Sequence, residues 1–321
     1  MTAPESEPAT ANDRISSLLS DAHCHADTAQ LIAIQRKYGI HSVISCANGD
    51  QWRQASHWLA DTVHGNASSN TSGELSDSPS NRTPDIRLSF GIHPWDANRY
   101  QFADALPYLE QTAIVGEIGL DGEWTDVPLA QQLPVFEAQL DYASRAHKPV
   151  VLHTKSRERE VLDLIRRYPN RYMVHWYACE RWQYDYLDLG CYMSIGPDLQ
   201  TDESVRALAQ RIPDDRLLIE SDGLESLSWA RGRKYGIDEY VGALVDLLRS
   251  LTMIRSGTGS ADTAEAANIA TIDAGAADTA GSTSVAGATH AALAGTADAD
   301  VRALAALTCR NLVTFLAPVT R

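Results

Sequence analysis

A chain of 321 residues with 44% hydrophobic and 21% charged side chains has ample material for one large globular core and does not need disulfide staples. Its 27 basic and 42 acidic residues leave a formal charge of −15, which disfavours loose association with nucleic acid or anionic lipid, so any phosphate recognition must be local. The five cysteines are scattered, with no Cys-x-x-Cys pair, and the first twenty residues carry neither the basic start nor the apolar block of a secretion signal. With no run long enough to span a bilayer, these features predict reduced thiols and a cytoplasmic protein without a membrane partner.

Residues 1–13 are polar and Pro-containing and read as a frayed, disordered terminus. A single domain is then expected over 14–255 and 299–321. Within it, short β-branched or apolar runs alternate with longer stretches of helical spacing, the pattern of βα units around a parallel sheet. Eight runs end near His25, Ala47, His93, Glu117, His153, His175, Gly196 and Asp222. Between them, Leu129 to His147 repeats Leu133, Phe136, Leu140 and Ala143 at spacings of three and four, as a helix with one buried face does. The fold class this predicts is α/β, a (β/α)8 TIM-barrel.

Two stretches break the alternation. Residues 64–84 are rich in Ser, Asn, Thr and Gly and read as a flexible insertion. Residues 256–298 mix Ala, Gly, Thr, Ser and Asp with almost no large apolar side chain, too little to offset the entropy of ordering, and are expected to be a disordered insertion. A weak alanine helix is the alternative, interrupted by Gly275, Gly281 and Gly287. A final helix from about Asp300 to Leu316 is expected to close the outer ring.

The chemistry starts in Asp21-Ala22-His23-Cys24-His25. Side chains alternate along a strand, so His23 and His25 project the same way and can chelate a divalent cation. His93, Glu117, His153, His175 and Asp222 each fall at the predicted C-terminal end of a different strand, and in a (β/α)8 barrel those ends converge on the active-site face. Imidazoles and carboxylates suit zinc, manganese or magnesium, whereas the cysteines lie off this pattern. Two cations close together require a bridging carboxylate, for which Glu117 is the candidate.

The order Asp-x-His-x-His, Gly91-Ile92-His93-Pro94-Trp95, Gly116-Glu117-Ile118-Gly119-Leu120-Asp121, Leu152-His153-Thr154, Val174-His175 and Ile219-Glu220-Ser221-Asp222 resembles the TatD family of metal-dependent hydrolases over nearly the whole chain outside the two insertions. The resemblance implies a binuclear hydrolase, often a deoxyribonuclease, with one metal held by His23, His25, Glu117 and Asp222 and the second by Glu117, His153 and His175. His93 matches a family histidine near the substrate phosphate. The chain departs from the family pattern at Trp95, where a second His is usual, at Trp176-Tyr177 in place of Cys-Phe, and at Gly223-Leu224.

These readings predict a metal-activated water attacking a phosphodiester of a DNA-like substrate, with Asp222 relaying the proton and Glu117 bridging. Arg231, Arg233 and Lys234, with Lys155, are candidate phosphate clamps. A small-molecule amidohydrolase or lactonase and a non-catalytic barrel binding protein are the competing readings. Trp176, Tyr177, Trp182, Tyr184 and Tyr186 could stack on bases, although aromatics around barrel helices more often pack. Asn311 is expected to fix the barrel terminus. No protein partner is readable.

Overall fold

The computed structural model describes residues 18–64, 84–257 and 285–318, with only the backbone described for 62–64 and 285–297. The expectations for the N-terminus and for most of both insertions fall on residues 1–17, 65–83 and 258–284, outside the described residues. The strands are β1 Ser20–Cys24, β2 His41–Cys46, β3 Ile86–Phe90, β4 Ile114–Gly119, β5 Val150–His153, β6 Tyr172–Val174, β7 Tyr192–Ile195 and β8 Leu217–Ile219. All eight pair in parallel in sequence order. The Asp222 N–H donates to His23 O at 3.1 Å, where β8 meets β1 and the ring closes. This is the (β/α)8 barrel the eight apolar runs predicted.

The intervening helices are α1 Ala29–Tyr38, α2 Gly49–His64, α3 Phe102–Leu109, α4 Leu129–Ala146, α5 Glu158–Ile165, α6 Gln183–Asp188, α7 Glu203–Arg211, α8 Gly223–Ala230, α9 Tyr240–Arg255 and α10 Val285–Leu316. The strands read as continuous apolar runs because parallel strands in a barrel are buried on both faces. In β4 every residue is buried. Gly119 lies at φ +159°, and a Cβ there would stand 1.8 Å from the His153 carbonyl oxygen. Only glycine lets β4 approach β5 so closely at this position.

The last helix differs from expectation in two ways. It begins at Val285 rather than near Asp300, because alanine, the best helix former, dominates despite the interrupting glycines. Its end also does more than complete an outer layer. Leu312, Phe315 and Leu316 join Ala22, Val43, Ile114, Val151, Met173, Tyr192 and Leu218 in one buried cluster inside the barrel. Arg87 and Arg171, at the N-terminal ends of β3 and β6, donate to Leu316 O and Phe315 O at 2.9 and 3.1 Å. Asn311 Nδ2 donates to Leu217 O at 2.8 Å, tying the helix to the start of β8 as the sequence predicted. The N-terminal floor of the barrel is thus plugged, and the opposite mouth carries the chemistry.

Candidate metal centre

His23 is fully buried on β1 and His25 stands at the mouth, yet their Nε2 atoms converge. His23 Nε2 lies 3.3 Å from both Glu117 Oε2 and Asp222 Oδ1, and His25 Nε2 lies 3.6 and 3.5 Å from the same two oxygens. Nitrogen and oxygen ligands bonded at about 2.0–2.2 Å in a tetrahedron are about 3.3–3.6 Å apart. All four separations fall in that range. His23 Nδ1 and Nε2 and Asp222 Oδ1 are buried without a hydrogen-bond partner, a costly state unless something else satisfies them. The residues present therefore fit a divalent cation.

The other oxygen of Glu117 faces a second group. Oε1 lies 2.6 Å from His153 Nδ1, 2.8 Å from His175 Nε2 and 3.3 Å from His93 Nε2. Triads of metal-ligand type form within this cluster: His23, His25 and Glu117; His23, His175 and Asp222; and His93, Glu117 and His153. One carboxylate thus points its two oxygens at two sets of imidazoles.

Burial pushes carboxyls up and imidazoles down, but here the partners dominate. At Glu117 the burial penalty is outweighed by His175, His93 and the hydrogen bond to His153, which hold the carboxyl well below its usual range. Asp222 is likewise held down to about 2, against burial, chiefly by His23. For His23, burial and His175 act downward, yet Asp222 and Glu117 raise it to about 9. Burial wins at His93, whose pKa is lowered. The centre is a nest of ionised carboxylates that draws positive charge.

Several supporting residues escaped the sequence reading. Asp121 Oδ2 lies 2.9 Å from His153 Nε2 and accepts from Trp95 Nε1 at 2.6 Å. Glu220 Oε1 lies 3.5 Å from His175 Nδ1 and accepts the Trp176 N–H at 2.7 Å. Gln132 and Gln139 project from the buried face of α4 and hold the loops above β4 and β3. Gln132 accepts the Asp121 N–H at 2.8 Å and donates back to Asp121 O at 2.8 Å. Gln139 does the same for Ile92, at 2.7 and 3.2 Å. Two glutamines seven apart on an otherwise apolar helix face were the available signal.

The expected phosphate contacts are placed less uniformly. His93 sits inside the cluster, beside Glu117 and His153. Arg231 caps the C-terminus of α8 and hydrogen-bonds Gln200. Arg233 is exposed, paired with Glu239 at 2.7 Å and lying 3.7 Å from the Tyr235 ring centroid. Lys234 is exposed. Tyr177 and Tyr186 are buried and pack on each other, so they are core.

A parallel eight-stranded barrel whose C-terminal mouth gathers imidazoles and carboxylates defines a class, the (β/α)8 metallohydrolase-type barrels. Residues 20–265 match the family described as TatD related DNase, and the chain belongs to that family of metal-dependent hydrolases. It is 37% identical over 144 residues to the 3'-5' ssDNA/RNA exonuclease TatD of Edwardsiella piscicida, a match covering 41% of this chain and 55% of that protein. It is 28% identical over 146 residues to the uncharacterized metal-dependent hydrolase YcfH of Escherichia coli K12, covering 43% and 55%. The chain thus spans about half the length of the curated relatives it matches. The crystal structure of YJJV, a TatD homologue from Escherichia coli K12, superposes with a TM-score of 0.53 at 19% identity, covering 74% of this chain and 98% of that one. No helix among the described residues is long and apolar enough to cross a membrane.

Proposed function

We propose that this chain is a divalent-metal-dependent phosphodiesterase acting on DNA-like substrates, with two cations, zinc, manganese or magnesium, at the barrel mouth. The observation that carries this reading is the division of Glu117, Oε2 toward His23 and His25 and Oε1 toward His153, His175 and His93. His23, His25, Glu117 and Asp222 would hold one cation, and Glu117, His153 and His175 the second. Divalent cations at such a centre supply Lewis acidity, neutralising charge on a phosphoryl oxygen and making a water acidic enough to ionise near neutral pH.

The protein's own groups do the rest. Asp222, ionised and partly exposed at the mouth, takes the proton released by the attacking water and passes it to solvent. His93, kept neutral by burial, hydrogen-bonds the substrate phosphate without adding charge. Arg231 and Lys234, beyond α8, contact the flanking phosphates, while Arg233 is held back by Glu239. The exonuclease activity in the names of the relatives supports a nucleic-acid substrate over a small lactone or amide.

The test couples metal content to turnover. Elemental analysis should give near two equivalents in the wild-type protein and fewer in His23→Ala/His25→Ala, and Glu117→Ala should abolish hydrolysis of a single-stranded oligonucleotide. Retained activity in Glu117→Ala overturns the bridging assignment.

A further inference from the structure

Four tryptophans stand around the mouth, and the chemistry described so far gives no role to their ring faces. Trp124 and Trp229 are 47% and 62% exposed, with ring centroids 5.3 Å apart, edge to face. Trp176 extends the contact, 6.1 Å from Trp229. Trp95, 46% exposed, stands edge-on to His93 at 5.0 Å. Scattered exposed apolar residues need no explanation, but indoles gathered around one polar cleft do.

The backbone places each of these residues beside the centre. The Trp124 backbone N–H donates to Asp121 Oδ1 at 2.8 Å, which fixes the loop that carries the ring, and Asp121 Oδ2 holds His153. Trp176 follows His175, and its Nε1 donates to Asp198 at 2.5 Å. Trp229 lies on α8, whose N-cap is Asp222. In a ring of eight strands β4 and β8 are opposite, so the contact between Trp124 and Trp229 crosses above the mouth. Lys155 Nζ, 5.6 Å from the Trp124 ring centroid, adds a cation where a strand carrying a phosphate into the centre would pass.

We infer that Trp124, Trp229 and Trp176 form a stacking wall for unpaired nucleobases flanking the phosphodiester in the metal centre, selecting single-stranded nucleic acid. This rests on the hydrolytic reading above and names how its substrate is gripped. A chain of net charge −15 gains little from long-range attraction to a polyanion, so affinity has to come from short-range contacts. Stacking on indole is tolerant of sequence because every base has a π face, and it is closed to a duplex whose bases already stack on each other.

The experiment measures binding and cutting separately on the full chain. Anisotropy of a labelled single-stranded oligonucleotide, with chelator present so that no strand is cut, gives Kd. Trp124→Ala and Trp229→Ala should each weaken binding about tenfold. The wild type should lose a similar factor when the last three nucleotides are abasic, whereas the variants should lose little more. The two side chains are 47% and 62% exposed, so melting temperatures should be nearly unchanged. Tyr184→Ala, an exposed aromatic on α6, should bind as wild type does. Absence of wild-type binding, or variants that bind intact strands like wild type, overturns the wall, whether or not strands are cut after a divalent metal is added. Tight, base-dependent binding without cutting upholds the wall and overturns the hydrolytic reading instead.

Discussion

Asp121 Oδ2 lies 2.9 Å from Nε2 of His153, while the other ring nitrogen of His153 faces Glu117 at 2.6 Å. A carboxylate behind a histidine fixes its tautomer and ring orientation and raises its basicity toward a cation. Burial opposes ionisation of Asp121, but His153, the Trp124 N–H and Trp95 outweigh it and hold the carboxyl well below its usual range. Asp121→Asn should therefore weaken metal binding about 10–100-fold, read by competition with a chromogenic chelator. Trp95→Phe removes one donor to the same oxygen and should have a smaller effect. Wild-type affinity in Asp121→Asn would show that His153 is oriented by something else.

Gln139 is buried and hydrogen-bonds both the N–H and the carbonyl of Ile92, the residue before His93. Gln139→Leu keeps the volume but strands two backbone groups, at about 1–3 kcal/mol for a buried polar group left unpaired. Urea unfolding should show that loss, and turnover should fall with it because His93 is no longer held. A variant as stable as wild type would mean that another group pairs Ile92.

The barrel was legible because its strands are apolar runs buried on both faces and its candidate ligands fall at their ends, where position alone separates His153 or His175 from core histidines. Glu117 could be picked as a bridge from chemistry, but the direction of its two oxygens is a rotamer, which no spacing encodes. Asp121 and Glu220 stood inside recognised motifs, yet their contacts run between different strands, from β4 to β5 and from β8 to β6, and become visible only when the ring closes. The Trp124–Trp229 contact was beyond reach, since it joins the loop after β4 to α8, the helix that follows the opposite strand β8. Tyr177 and Tyr186 follow the commoner expectation for aromatics around barrel helices: they are buried and pack on each other. The pairing of Arg233 with Glu239 is a contact between two exposed side chains that charge alone did not suggest.

Phe315 is fully buried inside the barrel floor, 5.5 Å from the Tyr192 ring. Phe315→Ala should cost about 3–5 kcal/mol through lost burial and the cavity left behind. The metal centre occupies the opposite end, so metal affinity of the folded variant should stay within a factor of about two to three, well inside the tenfold that about 1.4 kcal/mol would produce. Thermal melting and chelator competition separate the two effects. A large loss of affinity would show that the floor and the mouth are coupled along the strands.

Asp198 supports Trp176 from behind, and its environment makes it a pH-dependent cost to the fold. Burial raises its pKa to about 6, with Asp202 adding to the rise and the Trp176 hydrogen bond opposing it. The ordinary carboxyl value is 3.8, so the folded state holds this proton more tightly than the unfolded chain does. Below the unfolded value both states are protonated and the group is neutral to stability. As pH rises toward about 6 the unfolded chain ionises first, and folding loses free energy until the folded carboxyl ionises too. Above that the penalty is constant, of the order of 1–3 kcal/mol for a shift of this size. Asp198→Asn keeps an acceptor for the indole N–H and removes the ionisation. The variant should gain stability relative to wild type at about pH 8 compared with about pH 4, measured as the difference in urea unfolding free energies at the two pH values. A difference that is flat with pH, or that falls as pH rises, would mean that Asp198 is ionised without penalty behind Trp176.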